Sequence, residues 1–284
     1  MAQWSKLGVI AGGGALPGRI ARARRDQSEP FHVIRLKGFA DENVAGFPGD
    51  DCGIAEVGKI IKLLKDNGCD GVVLAGLVQR PDFAKLKPDW RGATLLPKVA
   101  AAARGGDGAL LDVLVETLEG EGFIVVGADD VTSDLKAPAG SFSAHPPGDH
   151  DRADIIKAAA VISALGAFDI GQAAVVASGH VLAVEAAEGT DAMLARCATF
   201  TDDLRGGEKA NGVLVKRPKP AQELRVDLPT IGIETVRRAH AAKLSGIAVE
   251  AGRALVMDLD ETVREADACG LFLYGFTAEE VDAP

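Results

Sequence analysis

The sequence predicts an α/β protein of two domains, and three observations predict it. Short apolar runs alternate with helical patterns through residues 1–133. An aperiodic stretch rich in proline and small residues follows at 134–150. Beyond it, from 151 to 284, strands and helices resume in a more mixed pattern that includes a hairpin. The chain is long enough for two ordinary domains with buried cores.

In the first domain "KLGVIAG" reads as a strand, "LPGRIARARRD" as a helix and "FHVIRLKG" as a second strand. After Asp51, "AEVGKIIKLLKDNG" places Val57, Ile60, Ile61 and Leu64 on one helical face, with Gly68 as its stop. "DGVVLAG" is a continuous β-branched run, the pattern of a strand covered on both faces. Two helical stretches, "ATLLPKVAAAARG" and "GDGALLDVLVETLEGEG", lead into a further strand, "FIVVGAD". This βαβ alternation predicts a Rossmann-like parallel sheet.

The stretch 134–150, with Pro138, Pro146 and Pro147, is expected to be an interdomain linker. His145, Asp149, His150 and Asp151 crowd its end and imitate a metal site, but the surrounding prolines and glycine favour a polar linker. In the second domain "RADIIKAAAVISALGAFD" is an Ala-rich helix, and "QAAVVASGHVLAVEAAEG" is two strands turning at Ser178-Gly179. Thr190-Asp191 offers N-cap chemistry to "AMLARCATFTDDL". "GVLVKRP", "GIAVEAG", "RALVMDL" and "LFLYGF" are strands, with "DETVREADACG" a closing helix. The result is a mixed α/β domain.

Hydrophobic residues make up 47% and charged residues 25%, the composition of a globular protein. The net charge of −10 argues against nucleic acid as a partner, because no cationic excess is present to displace counterions. The four cysteines form no C-x-x-C pair, which suits a reducing compartment. No signal-peptide pattern opens the sequence and no apolar run reaches the length of a membrane span, so a cytoplasmic protein is expected. His32, His180 and His240 are scattered and are read as structural.

The turn "IAGGGALP" brings Gly12, Gly13 and Gly14 to the start of a helix, where bare N–H groups can meet a phosphate. A dinucleotide fingerprint is incomplete: Pro17 stands at the third glycine position, and Lys37 stands where the second strand should end in an acid. The lysine could suit a 2′-phosphate, so an NADP-dependent oxidoreductase stays open, as does a tight turn with no ligand. In the second domain Lys216, Arg217, Lys219 and Arg225 gather within ten residues of an acidic chain, as an anionic substrate would require. Asp227 follows in "RVDLP"; beside cations, its pKa is expected to be lowered, keeping it ionised to hold a metal or orient water. Thr190 and Asp191 add a hydroxyl and a carboxylate at a helix start.

Together, "IAGGGALP", "GLVQRPDF", "EAAEGTDAML", "KPAQELRVDLPTIG" and "GIAVEAGRALVMD" resemble the LpxI-type UDP-2,3-diacylglucosamine pyrophosphatases of lipid A biosynthesis. The resemblance runs through essentially the whole chain. It implies hydrolysis of UDP-2,3-diacylglucosamine to UMP and 2,3-diacylglucosamine 1-phosphate (lipid X), with Mg²⁺ as cofactor. It also implies a cytoplasmic enzyme peripherally associated with the inner membrane, and it puts the catalytic carboxylate on Asp227, which is expected to bind Mg²⁺ as a metal ligand or to position the water. Lys216 would hold the diphosphate with help from Thr190 and Asp191, while Gly12, Gly13, Gly14, Gly76 and Gln79 would bind substrate. A homodimer and a non-catalytic nucleotide-sugar-binding protein both stay open at this point.

Overall fold

The computed structural model describes residues 4–282 apart from 80, 81, 83, 84, 106, 206, 208–210 and 221. The chain divides into two compact units, residues 1–133 and 134–284.

The N-terminal unit runs β1 (Leu7–Ala11), α1 (Ala15–Asp26), β2 (Phe31–Leu36), β3 (Gly49–Cys52), α2 (Val57–Asp66), β4 (Gly71–Ala75), α3 (Trp90–Gly105), α4 (Asp107–Gly120), β5 (Ile124–Val125) and α5 (Ala128–Val131). Its five strands are all parallel, in the order β3-β2-β1-β4-β5. β1 and β4 sit at the centre, and their continuous apolar runs are buried on both faces. α2 turns Ile60, Ile61 and Leu64 inward, the stripe its periodicity predicts. The chain leaves β1 in one direction through β2 and β3, then returns to its other side with β4. The topological switch point therefore lies between β1 and β4.

β3, "GDDC", is absent from the strands predicted by sequence. It is a polar edge strand, held by cross-strand polar side-chain pairs instead of an apolar face. His32 Nε2 meets Asp50 Oδ2 at 2.9 Å, and Arg35 Nε donates to Asp51 Oδ1 at 2.7 Å. Directly before the interior strand β4, Asp70 accepts the backbone N–H groups of Ser5 and Lys6 at 2.9 and 2.8 Å, fixing the entry to β1. Partial burial pushes the Asp70 carboxyl up, but bonds from Lys6 N, Ser5 Oγ and Ser5 N outweigh this and hold it at about 2.

The C-terminal unit comprises β6 (Gly140–Ser141), α6 (Asp149–Gly166), β7 (Ala173–Ala177), β8 (His180–Val184), α7 (Gly189–Cys197), α8 (Asp202–Arg205), β9 (Val213–Lys216), β10 (Thr230–Ile231), α9 (Ile233–Ala241), β11 (Gly246–Glu250), β12 (Leu255–Val256), α10 (Leu259–Cys269), β13 (Phe272–Phe276) and α11 (Ala278–Val281). Six strands form a mixed sheet in the order β6-β13-β11-β9-β7-β8, and β10 pairs with β12 in a separate parallel ribbon. β9, β11 and β13 are parallel, whereas β6, β7 and β8 each run antiparallel to a neighbour. Alternate side chains enter opposite cores. Leu214, Ile247, Val249 and Leu273 pack with residues of α7, α9 and α10, whereas Val213, Val215, Ala248 and Tyr274 pack with Ile155, Ala158 and Ile162 of α6. The predicted Ser178-Gly179 turn closes β7 on β8, with φ of 49° and 78° at its two residues. The buried Asp154 carboxylate accepts both turn N–H groups, at 2.8 and 2.7 Å.

The segment expected as a linker, 134–150, belongs with this unit. β6 pairs with β13, Ala137 N donates to Ala254 O at 2.9 Å and Ala144 N donates to Asp267 Oδ1 at 2.7 Å. Its strand is too short to show a period. Asp151 accepts the Gly148 N–H at 2.9 Å, capping α6. Cys52, Cys69 and Cys197 are buried, Cys269 is half-buried, and none of the four is in a disulfide.

Candidate active site

In the C-terminal unit the C-terminal ends of β8 and β9 lie on either side of the start of β7. This edge of the sheet is also where the parallel strands β9 and β11 end, the side on which α/β folds bind ligands. Lys216 is the last residue of β9 and lies opposite Ala173 in register. Glu185 follows β8 directly, and its backbone N–H donates to Ala173 O at 2.9 Å. Its buried carboxylate accepts from Gln172 N at 2.9 Å and from the Thr190 hydroxyl at 2.7 Å. The loop leaving β9 carries Asp227 and returns at Thr230, whose carbonyl accepts a hydrogen bond from Lys216 Nζ at 3.0 Å.

Lys216, Glu185, Asp191 and Asp227 thus form one electrostatic group. Burial drives the Lys216 ammonium below its ordinary value, and the carboxylates of Glu185, Asp191 and Asp227 pull it back up. Asp227 does not behave as its cationic neighbourhood predicts. Burial pushes its carboxyl up, and Lys219 and Lys216 only partly oppose this, while Asp169 and Glu185 add to the rise. The expected lowering is therefore reversed: the loop that surrounds Asp227 removes more water than the lysines can replace. Its carboxylate makes no hydrogen bond or ion pair among the described residues.

The other cations of the cluster have protein partners. Arg217 donates Nε to Glu250 at 2.9 Å and forks onto Asp282 at 2.8 and 3.0 Å. Lys219 pairs with Asp169, and Arg225 with Glu223 at 2.7 Å. Lys216 keeps spare donors: one of its three N–H bonds is occupied, by a neutral carbonyl. Thr190 and Asp191 lie within the first turn of α7; the helix starts at Gly189 with Glu188 at the cap position, so they do not cap it. Asp191 is exposed and meets Arg238 Nε at 3.4 Å.

The glycine turn of the N-terminal unit lies at the topological switch point, but its N–H groups are occupied. Gly12 N donates to Ala75 O at 2.8 Å, Gly13 N to Leu77 O at 2.9 Å and Gly14 N to Asp41 Oδ2 at 2.5 Å. A carboxylate of the chain itself holds the place predicted for a phosphate. The glycines here permit close approach of two loops. A Cβ on Gly12 would stand 2.6 Å from Leu77 O, and one on Gly76, which has φ of 92°, would stand 2.5 Å from Gly13 O. Gln79 is exposed on the segment after Gly76; Arg80, Pro81 and Phe83 of that motif lie outside the described residues.

The LpxI N-terminal domain model matches residues 6–135 and the LpxI C-terminal domain model matches 138–274. The chain belongs to the LpxI family. Within it, the "UDP-2,3-diacylglucosamine pyrophosphatase LpxI" of Caulobacter vibrioides is 50% identical over 276 residues, 97% of this chain and 99% of that protein. Among solved structures, the Bordetella bronchiseptica enzyme WbmG in complex with NAD and UDP aligns at a TM-score of 0.26 and 15% identity, covering 40% of this chain and 36% of that one. So slight a likeness bears on neither fold nor ligand. The LpxI C-terminal match spans Lys216, Asp227, Thr190 and Asp191, together with two members of the group that the sequence did not single out, Glu185 and Asp169. Glu185 lies inside the "EAAEGTDAML" motif, and an acid placed directly after an apolar strand was the available signal.

Proposed function

We propose that the chain hydrolyses the pyrophosphate bond of UDP-2,3-diacylglucosamine, releasing UMP and 2,3-diacylglucosamine 1-phosphate. The observation that carries this reading is the 50% identity, through 97% of the chain, to a relative bearing that activity in its name. The group around Lys216 and Asp227 supplies suitable chemistry. Hydrolysis of a diphosphate is mainly a problem of charge on phosphoryl oxygens, and positioned cations in a dry setting stabilise it best. Lys216, with donors unused, would bind the diphosphate, and the arriving anion would hold its ammonium charged. Thr190, held by Glu185, and Asp191 would assist at the start of α7. Water would add to the phosphorus bonded to glucosamine, and the bridging oxygen would leave with UMP.

A divalent cation fits the donors present. Asp227 is a half-buried carboxylate without a hydrogen-bond donor among the described residues, and Mg²⁺ needs only one or two carboxylates besides phosphate oxygens and water. When bound, Mg²⁺ would neutralise charge developing on the diphosphate. Asp227 would hold it or orient the attacking water.

The same reading places the protein at the inner-membrane surface, where its lipid substrate resides. No helix among the described residues is long and apolar enough to cross a membrane. Phe168, 75% exposed, and Ile170, 38% exposed, flank Asp169, the partner of Lys219, and could meet acyl chains there. The test is UMP release from UDP-2,3-diacylglucosamine with Mg²⁺. Asp227→Ala is expected to lose about a thousandfold or more in rate while retaining the circular dichroism of the wild type. Equal turnover in both proteins would remove Asp227 from the chemistry, and no turnover in the wild type would overturn the reading.

A further inference from the structure

With the N–H groups of Gly12, Gly13 and Gly14 taken up within the unit, the C-terminal edge of the five-stranded sheet offers a concavity one position further along. A cleft of about 370 Å³ lies beyond the ends of β2 and β3, with Lys37, Phe39, Ile54, Glu56, Lys85 and Lys87 among its lining residues. Its volume falls within the range of small-molecule sites. In a doubly wound sheet the end of the second strand is where the ribose of a nucleotide is met. Lys37 stands there, immediately after β2, its backbone N–H fixed to Cys52 O at 2.8 Å.

Three lysines lining one cleft of a protein with net charge −10 is a local reversal of sign. Lys37 and Lys87 form no salt bridge among the described residues, and Lys85 reaches only Asp82, at 3.3 Å on the exposed surface. Glu56, the carboxylate in the cleft, accepts from Gly53 N at 2.6 Å and lies 3.7 Å from Lys59, and the Lys37 charge also acts on it, at longer range than a salt bridge. Two exposed ammonium groups that form no salt bridge, beside a half-buried phenyl ring, match a phosphate attached to a planar base, because lysine binds phosphate as a point charge and an aromatic ring offers a stacking face.

The geometry points to a nucleotide subsite: this cleft takes a nucleoside 5′-monophosphate, with Lys37 and Lys87 on the phosphate and Phe39 against the base. That the base is uracil rests on the pyrophosphatase reading above.

Calorimetric titration of the full-length protein with UMP tests it. Replacing both lysines (Lys37→Ala with Lys87→Ala) is expected to weaken UMP binding by about tenfold or more, as loss of charge-assisted hydrogen bonds would. Phe39→Ala is expected to weaken it by about threefold. Hydrogen–deuterium exchange should show UMP protecting the backbone at 37–39 and 53–56. A control pair with the same change of charge, Lys62→Ala with Lys98→Ala on exposed helical faces, should leave UMP affinity within about twofold. Wild-type affinity in the Lys37/Lys87 variant overturns the proposal, as does equal weakening in the control pair, protection elsewhere, or no UMP binding by the wild type at millimolar concentration. The pyrophosphatase reading is judged separately, by UMP release from wild-type protein, so either idea can fail alone.

Discussion

The glycine turn after β1 and the lysine at the end of β9 are both anion sites by sequence, and the fold treats them in opposite ways. At Gly12–Gly14 every backbone N–H has a partner within the unit, and one of those partners is already a carboxylate. At Lys216 and Asp227 the reverse holds: a buried ammonium retains donors and a half-buried carboxylate accepts nothing among the described residues. Glycines signal conformational permission, and that permission serves a loop crossing as readily as a ligand. Unsatisfied capacity in a buried polar group is the more discriminating sign, since an unmatched group is destabilising unless a ligand supplies the match.

Substitutions on the two sides of this comparison should therefore fail in different assays. After Asp227→Ala, the largest effect is expected from Lys216→Ala, a loss of about a hundredfold in UMP release with the fold intact. A loss under threefold would break the assignment. Gly76→Ala should act on stability, lowering that of the N-terminal unit by about 2 kcal/mol or more because its Cβ would meet Gly13 O in a left-handed backbone. Thermal melts measure this, and activity per folded molecule should change less than for either site variant. A Gly76→Ala protein that melts normally yet cannot turn over would restore the turn as a ligand site.

The pH–rate profile should be narrower than an ordinary Asp/Lys pair would give. Activity falls as pH drops through the raised Asp227 value, and falls again as pH climbs through the lowered Lys216 value. Lys216→Arg should move the alkaline limb upward, because guanidinium remains charged. The smallest effect concerns stability. Because the folded-state value of Asp227 lies above the unfolded one, its contribution is fully present below the unfolded pKa and is lost as pH rises through the folded pKa. Asp227→Asn should therefore melt above the wild type at neutral pH, and the gap should close under acid. A variant that melts lower at neutral pH would show that the carboxylate has a partner in the fold.

The elements legible in the sequence are those whose pattern arises from burial. β1 and β4 are continuous apolar runs because helices cover both faces, α2 shows its stripe, and Ser178-Gly179 announces a turn with positive φ at both residues. β3 was hidden because an edge strand can be held by polar side-chain pairs whose residues resemble a polar loop. The segment 134–150 read as a linker because its pairing runs through backbone atoms, which leave no trace in side-chain pattern. For the candidate site, Lys216, Thr190, Asp191 and Asp227 were legible as chemistry-bearing types near one another. The sign of the Asp227 shift was not, since a sequence shows which charges are adjacent but not how much water the fold removes. Glu185 and Asp169 were missed for a related reason: they join the group from other strands and turns.

The four cysteines give the molecule a built-in way to report its own breathing. Cys52 and Cys69 lie inside the N-terminal unit and Cys197 inside the C-terminal one, and burial raises the thiols of Cys52 and Cys69, so in the closed fold they react slowly. Cys269, half-buried, should be labelled first by a thiol reagent. The sulfurs that follow would then mark, unit by unit and without any engineered probe, how often each core opens to solvent.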